Sequence, residues 1–119
     1  MTDLAPITNY LCESIDTTAA NIEQISPNIE QACNILTQTL LNDRKILVCG
    51  NGGSAALANH FACDHQKILN ETKKLKPFLL SLSSNIALMT AISNDNNYDK
   101  VFSDQILQVA NKNDILITI

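Results

Sequence analysis

The sequence lacks a basic excess: 12 acidic side chains stand against 8 basic ones, for a net charge of −4. That excludes a general binder of the nucleic-acid backbone, which needs a basic face. Only three glycines and three prolines are present, with no long polar tract, which excludes a collagenous or largely disordered chain. No apolar run approaches the roughly 18 residues of a membrane span. The start, Met1-Thr2-Asp3-Leu4, has neither the basic residues nor the apolar stretch of a secretory signal. The four cysteines, Cys12, Cys33, Cys49 and Cys63, form no C-x-x-C pair, and each lies in an apolar or helical stretch. They are expected as reduced, mostly buried thiols rather than a disulfide framework. What remains is a soluble, cytosolic, globular chain. Its 119 residues, 45% of them hydrophobic, allow one small domain that buries roughly 65% of its unfolded surface.

Leu4, Ile7, Leu11, Ile15, Ile22 and Ile25 recur at steps of three, four or seven, the mark of a long amphipathic helix. Ser26-Pro27 is expected to end it and restart another, with Ser26 as N-cap and Pro27 at the first helical position. Ile29, Cys33, Leu36 and Leu40 then give the second helix its apolar face. The texture changes at Lys45. Ile46-Leu47-Val48-Cys49 reads as a strand covered on both sides, and Gly50-Asn51-Gly52-Gly53-Ser54 follows directly, holding all three glycines. Ala55 to about Leu69 reads as a helix. Pro77 precedes a second strand, Phe78 to Leu82, and Asn85 caps a helix over Ile86 to Ile92. Ser93 to Asn97 reads as a loop, Val101 to Ala110 as a helix, and Ile115 to Ile119 as a third strand. Alternating strands and helices imply an α/β fold: an open parallel sheet flanked by helices, three layers deep, preceded by two amino-terminal helices. Residues 1–43 form a helical arm and 44–119 a βαβ core. Ligands in such sheets bind beyond the carboxyl ends of the strands. Because the sequence stops at the end of a strand, it is read as the amino-terminal part of a longer domain.

Glycines between a strand and a helix let the backbone approach a ligand, and the N–H groups and dipole of the helix favour an anion. Asn51 adds an amide and Ser54 a hydroxyl. Gly50-x-Gly52-x-x-Ala55 fits the relaxed dinucleotide fingerprint, but the second strand ends in Ser81-Leu82-Ser83-Ser84, with no acid to hold a ribose. No Lys-Ser or Lys-Thr follows the glycines, which excludes a P-loop. Ser81, Ser83 and Ser84 suit a phosphate or a sugar hydroxyl.

Cys49-Gly50-Asn51-Gly52-Gly53-Ser54, with Asn59-His60-Phe61-Ala62 downstream, resembles the sugar isomerase (SIS) domain of phosphoheptose isomerases. Ser93-Asn94-Asp95 and Asp99-Lys100-Val101-Phe102-Ser103 resemble that family's second region. The resemblance implies conversion of sedoheptulose 7-phosphate to glycero-manno-heptose 7-phosphate for cell-surface polysaccharide, such as lipopolysaccharide, by a cytoplasmic homotetramer. The family places a His and, four residues on, a Glu beside the sugar, with zinc bound there in some members. The matching positions are His60 and Asp64, one methylene shorter than Glu. The resemblance implies that both are catalytic groups and metal ligands, and their spacing of four puts them on one helical face, as either role requires. Cys63 and His65 adjoin them. By the same resemblance Asn51, Gly52, Gly53 and Ser54 contact the sugar phosphate, and Asn94 and Asp95 hold sugar hydroxyls near a subunit boundary. No nucleic acid or membrane partner is implied. The alternative is a non-catalytic SIS protein that binds a partner, as replication-initiator-associating members do. Those generally lack the metal-ligand pair.

Overall fold

A computed structural model of the chain describes residues 4–72 and 78–119. Pro77, expected just ahead of the second strand, lies outside the described residues, as do Met1, Thr2 and Asp3. The element order is α1 (Ala5–Leu41), β1 (Lys45–Cys49), α2 (Gly53–Thr72), β2 (Phe78–Ser81), α3 (Ile86–Asp95), a 3₁₀ turn (Tyr98–Lys100), α4 (Ser103–Val109) and β3 (Ile115–Thr118). Two compact units divide it: the residues up to Ile35, and Leu36–Ile119.

The two amino-terminal helices expected from Ser26-Pro27 are one helix, with Pro27 inside it. Ser26 is no N-cap; its hydroxyl donates to the Ile22 carbonyl at 2.6 Å. A proline inside a helix costs about 3 kcal/mol. Starting a second helix costs more, about 4 kcal/mol for a nucleation constant near 10⁻³. The proline's own φ is already helical, so the helix runs through it.

In the second unit the three strands are parallel, in the order β2-β1-β3. Lys45 to Val48 pair with Phe78 to Ser81 on one side, and Ile46 to Cys49 with Ile115 to Thr118 on the other. The continuous apolar run of β1 is accounted for by this central place: Ile46, Leu47 and Val48 are at most 1% exposed. Its side chains alternate between two helical layers. Leu47 and Cys49 join Leu82 under Phe102, Ile106 and Val109, the last two from α4. Val48 meets Ala58 and Ala62 of α2 on the opposite face, with Phe61 and Ile117 packed alongside. This is the three-layer α/β sandwich implied by the alternating pattern.

Small polar devices set the ends of the strands. Asp114 precedes β3 and accepts from the backbone N–H groups of Lys45 (2.9 Å) and Asn111 (2.7 Å), while its second contact to Lys45 is the ammonium at 3.0 Å. Asn85 caps α3 as expected, its side-chain oxygen accepting from Leu88 N–H at 3.0 Å. The loop expected from Ser93 begins later, because α3 continues through Asp95 and Asn96 N–H closes the last turn on Ile92 at 2.9 Å. Of the four thiols only Cys49 is buried; Cys12, Cys33 and Cys63 are exposed, against the expectation of mostly buried cysteines. The periodic pattern placed them on helices but not on covered faces.

Candidate functional site

The strand order reverses at β1: the chain moves first to β2 on one side, then to β3 on the other. The carboxyl end of a strand at such a reversal is where open α/β sheets leave a crevice for ligands. Gly50 to Ser54 sits at that end, between β1 and α2.

The three glycines there answer to different demands. A Cβ on Gly50 would lie 2.5 Å from the backbone carbon and oxygen of Ser54, so the start of α2 can only pass close over a glycine. Gly52 has φ +56°, the left-handed conformation that side chains disfavour. Around Gly53 a Cβ would meet open space. The space around that position leaves the backbone open to close approach. Ser54 and Ala55 N–H close the first turns on Asn51 and Gly52 carbonyls, at 3.0 and 3.1 Å. The first turn of α2 contains no acid, so its dipole faces the crevice uncancelled.

The serines that end β2 brace this loop. Ser83, 4% exposed, donates its hydroxyl to the Gly50 carbonyl at 2.8 Å and accepts from Gly50 N–H at 3.1 Å. Ser81 donates to Asn59 Oδ1 of α2 at 2.6 Å and accepts from Ser83 N–H at 3.2 Å. Ser84 donates back to the Ser81 carbonyl at 2.7 Å. The seryl hydroxyls are therefore largely engaged in holding the crevice.

A cleft of about 680 Å³ opens beside the loop, lined by Gly52, Ala55 and Asn59 below and by Met89, Thr90 and Asn94 of α3 above, with Ser83 and Tyr98 also on its wall. None of its lining residues is charged. Of the residues expected at the site, Gly52 and Asn94 reach the cleft directly. Asn51 joins it through Tyr98, whose hydroxyl donates to Asn51 Oδ1 at 2.5 Å. Gly53 and Ser54 form the helix start next to it. Asp95 is turned to its neighbour, accepting from Asn94 Nδ2 at 3.1 Å. The contribution of Tyr98 escaped the sequence reading. A tyrosine in a polar stretch between two helices gives no periodic signal, and its contact spans 47 residues.

His60 and Asp64 lie further along α2, outside the lining of that cleft. The spacing of four brings His60 Nε2 and Asp64 Oδ2 to 3.1 Å, with side chains 73% and 50% exposed. The adjoining donors do not join them. Cys63 is exposed. His65 stacks on Phe61 with ring centres 4.0 Å apart, and its Nδ1 donates to the Phe61 carbonyl at 3.0 Å. Among the described residues no group of three His, Cys, Asp or Glu side chains could hold a metal ion.

Comparison with known proteins agrees with this architecture. A family model described as SIS domain matches residues 9–119. The chain is 42% identical over 118 residues to a phosphoheptose isomerase of Colwellia psychrerythraea, covering 98% of this chain and 59% of that protein. It is 44% identical over 109 residues to the phosphoheptose isomerase of Coxiella burnetii, covering 90% of this chain and 53% of that one. It thus spans somewhat more than half the length of the curated relatives it matches. Among solved structures, the phosphoheptose isomerase of Neisseria gonorrhoeae superposes with a TM-score of 0.85 at 33% identity, over 96% of this chain and 58% of that one. That of Francisella tularensis gives 0.84 at 33% identity, over 99% and 60%. With a family model spanning nearly the whole sequence and relatives alike in both residues and fold, the chain belongs to the SIS domain family, and the relatives it resembles there are phosphoheptose isomerases.

Proposed function

We propose that the complete protein is a phosphoheptose isomerase, exchanging sedoheptulose 7-phosphate with glycero-manno-heptose 7-phosphate in the cytoplasm for cell-surface polysaccharide such as lipopolysaccharide. The observation that carries this reading is the formed His60–Asp64 pair, 3.1 Å apart on the helix that starts at the glycine loop, in a chain 42% identical to a phosphoheptose isomerase. Aldose–ketose exchange moves a proton between neighbouring carbons through an enediol. It needs a base, an acid, and donors for the developing oxyanion. Asp64 is the proposed base, held in orientation by His60. The backbone at Gly52, Gly53 and Ser54, with the Asn51 amide, takes the sugar phosphate at the positive end of α2. Asn94 and Asp95 hold hydroxyls, and the uncharged cleft beside them suits the polyol chain.

Zinc is the proposed metal. With zinc bound, His60 Nε2 and the Asp64 carboxylate would serve as two ligands in place of the base and its positioning group, and the other ligands would come from outside the described residues. Bound there, zinc would polarise the substrate carbonyl as a Lewis acid. If so, His60→Ala loses zinc by metal analysis whether or not substrate is present. The exposure of His60 and Asp64 and of the apolar residues of α1 supports a homotetramer, in which another subunit closes the site. A non-catalytic, partner-binding SIS protein is the weaker reading, because the pair such proteins lack is formed here.

The test is isomerisation of sedoheptulose 7-phosphate by the complete protein. His60→Ala and Asp64→Ala are each expected to lower kcat by about a hundredfold or more, the scale of general acid–base catalysis. Asp64→Glu keeps activity or raises it. Unchanged turnover in Asp64→Ala removes Asp64 from the chemistry.

A further inference from the structure

The glycine loop is held from two directions, and the two grips differ in kind. Ser83 is buried and binds only backbone, the N–H and carbonyl of Gly50. Tyr98 is 48% exposed, lines the cleft itself, and reaches the exposed side chain of Asn51, next to the lining residue Gly52. It comes from the 3₁₀ turn after α3, so this contact also joins the two walls of the cleft. A primary amide accepts at its oxygen and donates at its nitrogen. The phenol hydroxyl on Asn51 Oδ1 occupies the acceptor end and leaves both hydrogens of Nδ2 for another partner.

We propose that Tyr98 is a positioning residue for ligand binding: it orients the Asn51 amide so that its NH₂ donates to an acceptor oxygen of a bound sugar phosphate. The inference rests on the reading of this cleft as a sugar-phosphate site. Without the phenol, the terminal torsion of an exposed asparagine is broad, and the amide presents oxygen and nitrogen about equally. An oxygen turned toward a phosphate or hydroxyl oxygen repels it or demands a donor hydrogen. A phenol donates more strongly than it accepts, so Tyr98 favours the orientation with the amide oxygen on its hydroxyl before the ligand arrives, and the benefit appears as affinity rather than as chemistry.

Tyr98→Phe keeps the ring on the cleft wall and deletes only the hydroxyl. In the complete protein it is expected to raise KM for sedoheptulose 7-phosphate, and its calorimetric Kd, about three- to tenfold, with kcat unchanged within about twofold. Asn51→Ala weakens binding more, and Tyr98→Phe added to it causes no further loss, the signature of two residues acting as one. Without ligand, the Asn51 side-chain signals in an amide proton–nitrogen correlation spectrum shift in Tyr98→Phe. A merely structural tyrosine would lower the melting temperature and leave KM and Kd alone, which overturns the proposal. So do additive effects of the two substitutions, or a change confined to kcat. If the wild-type protein binds the sugar phosphate without isomerising it, the isomerase reading fails while the Kd comparison still decides the role of Tyr98. If the wild type does not bind it at all, both fall.

Discussion

Gly50, Gly52 and Gly53 sit within four residues of one another and make different predictions. Gly50→Ala drives a Cβ to 2.5 Å from the Ser54 backbone, and a backbone cannot swing aside as a side chain would. We expect a loss of about 3 kcal/mol, the upper range of overpacking. Gly52→Ala meets no atom but keeps φ +56°, at a cost of about 1 kcal/mol. Gly53→Ala leaves stability unchanged and weakens ligand binding. Urea unfolding of the three variants checks the order, and Gly53→Ala as the worst of them would refute it. Asp114 carries a pH dependence. Burial pushes its carboxyl up, but the N–H groups of Asn111 and Lys45 and the Lys45 ammonium outweigh that and hold it below the usual carboxylate range. A lowered folded value contributes stability above the ordinary carboxylate range, lost as pH falls through the folded value. Asp114→Asn is therefore expected to be less stable than wild type at pH 7, with the gap narrowing at an acid pH below the ordinary carboxylate range. A gap that stays constant in urea titrations at the two pH values counts against it. The turn from β1 into α2 was legible in composition, because glycines between an apolar run and a helix suit a close backbone approach and a positive φ. Ser83 was visible only as one of several serines. Its grip on Gly50 depends on β2 lying beside β1, which is a tertiary fact.

Elements were legible where one physical demand fixed them. The run Ile46 to Cys49 had to be a covered strand, and the order β2-β1-β3 puts it in the centre. Asn85 had to cap, since α3 begins directly behind it. Boundaries failed where two demands competed. Ser93-Asn94-Asp95 has loop composition, yet helical hydrogen bonds continue through it to the cap at Asn96. Ser26-Pro27 has the chemistry of a helix start, yet continuation costs less than a new nucleus. That balance makes a prediction for α1. Pro27 is exposed and has no N–H to donate to the Glu23 carbonyl. Pro27→Ala restores that hydrogen bond without disturbing a packed surface. The complete protein should gain up to about 3 kcal/mol, read as a higher melting temperature with undiminished helical circular dichroism. A fall in melting temperature would mean that the proline is needed where it stands, as a kink or against a partner.

At the scale of the whole molecule, α1 poses the largest question. Its 37 residues run about 55 Å at 1.5 Å per residue, and every side chain from Leu4 to Ile35 is exposed in the single chain. Leu4, Ile7, Leu11, Ile15, Ile22, Ile25 and Ile29 are each 39–67% exposed. Leu4, Leu11 and Ile25 fall in one row at multiples of seven, and Ile15, Ile22 and Ile29 in an adjacent row. Such a seam suits the packing of one helix against another. A lone helix owes its stability in proteins mainly to a buried apolar face. Completing the burial of these seven side chains is worth on the order of 10 kcal/mol before the entropy of association is charged. A second copy of the chain supplies an equal seam, which supports association of copies within the proposed tetramer. Leu11→Glu with Ile15→Glu should split that tetramer into smaller species by light scattering and lower its helical content. Glu13→Ala, a change of an exposed polar residue between them, should leave both unaltered. A complete wild-type protein that runs as a well-folded monomer would sink the proposal. So would a double variant that assembles as the wild type does, since the charges would then lie outside the interface.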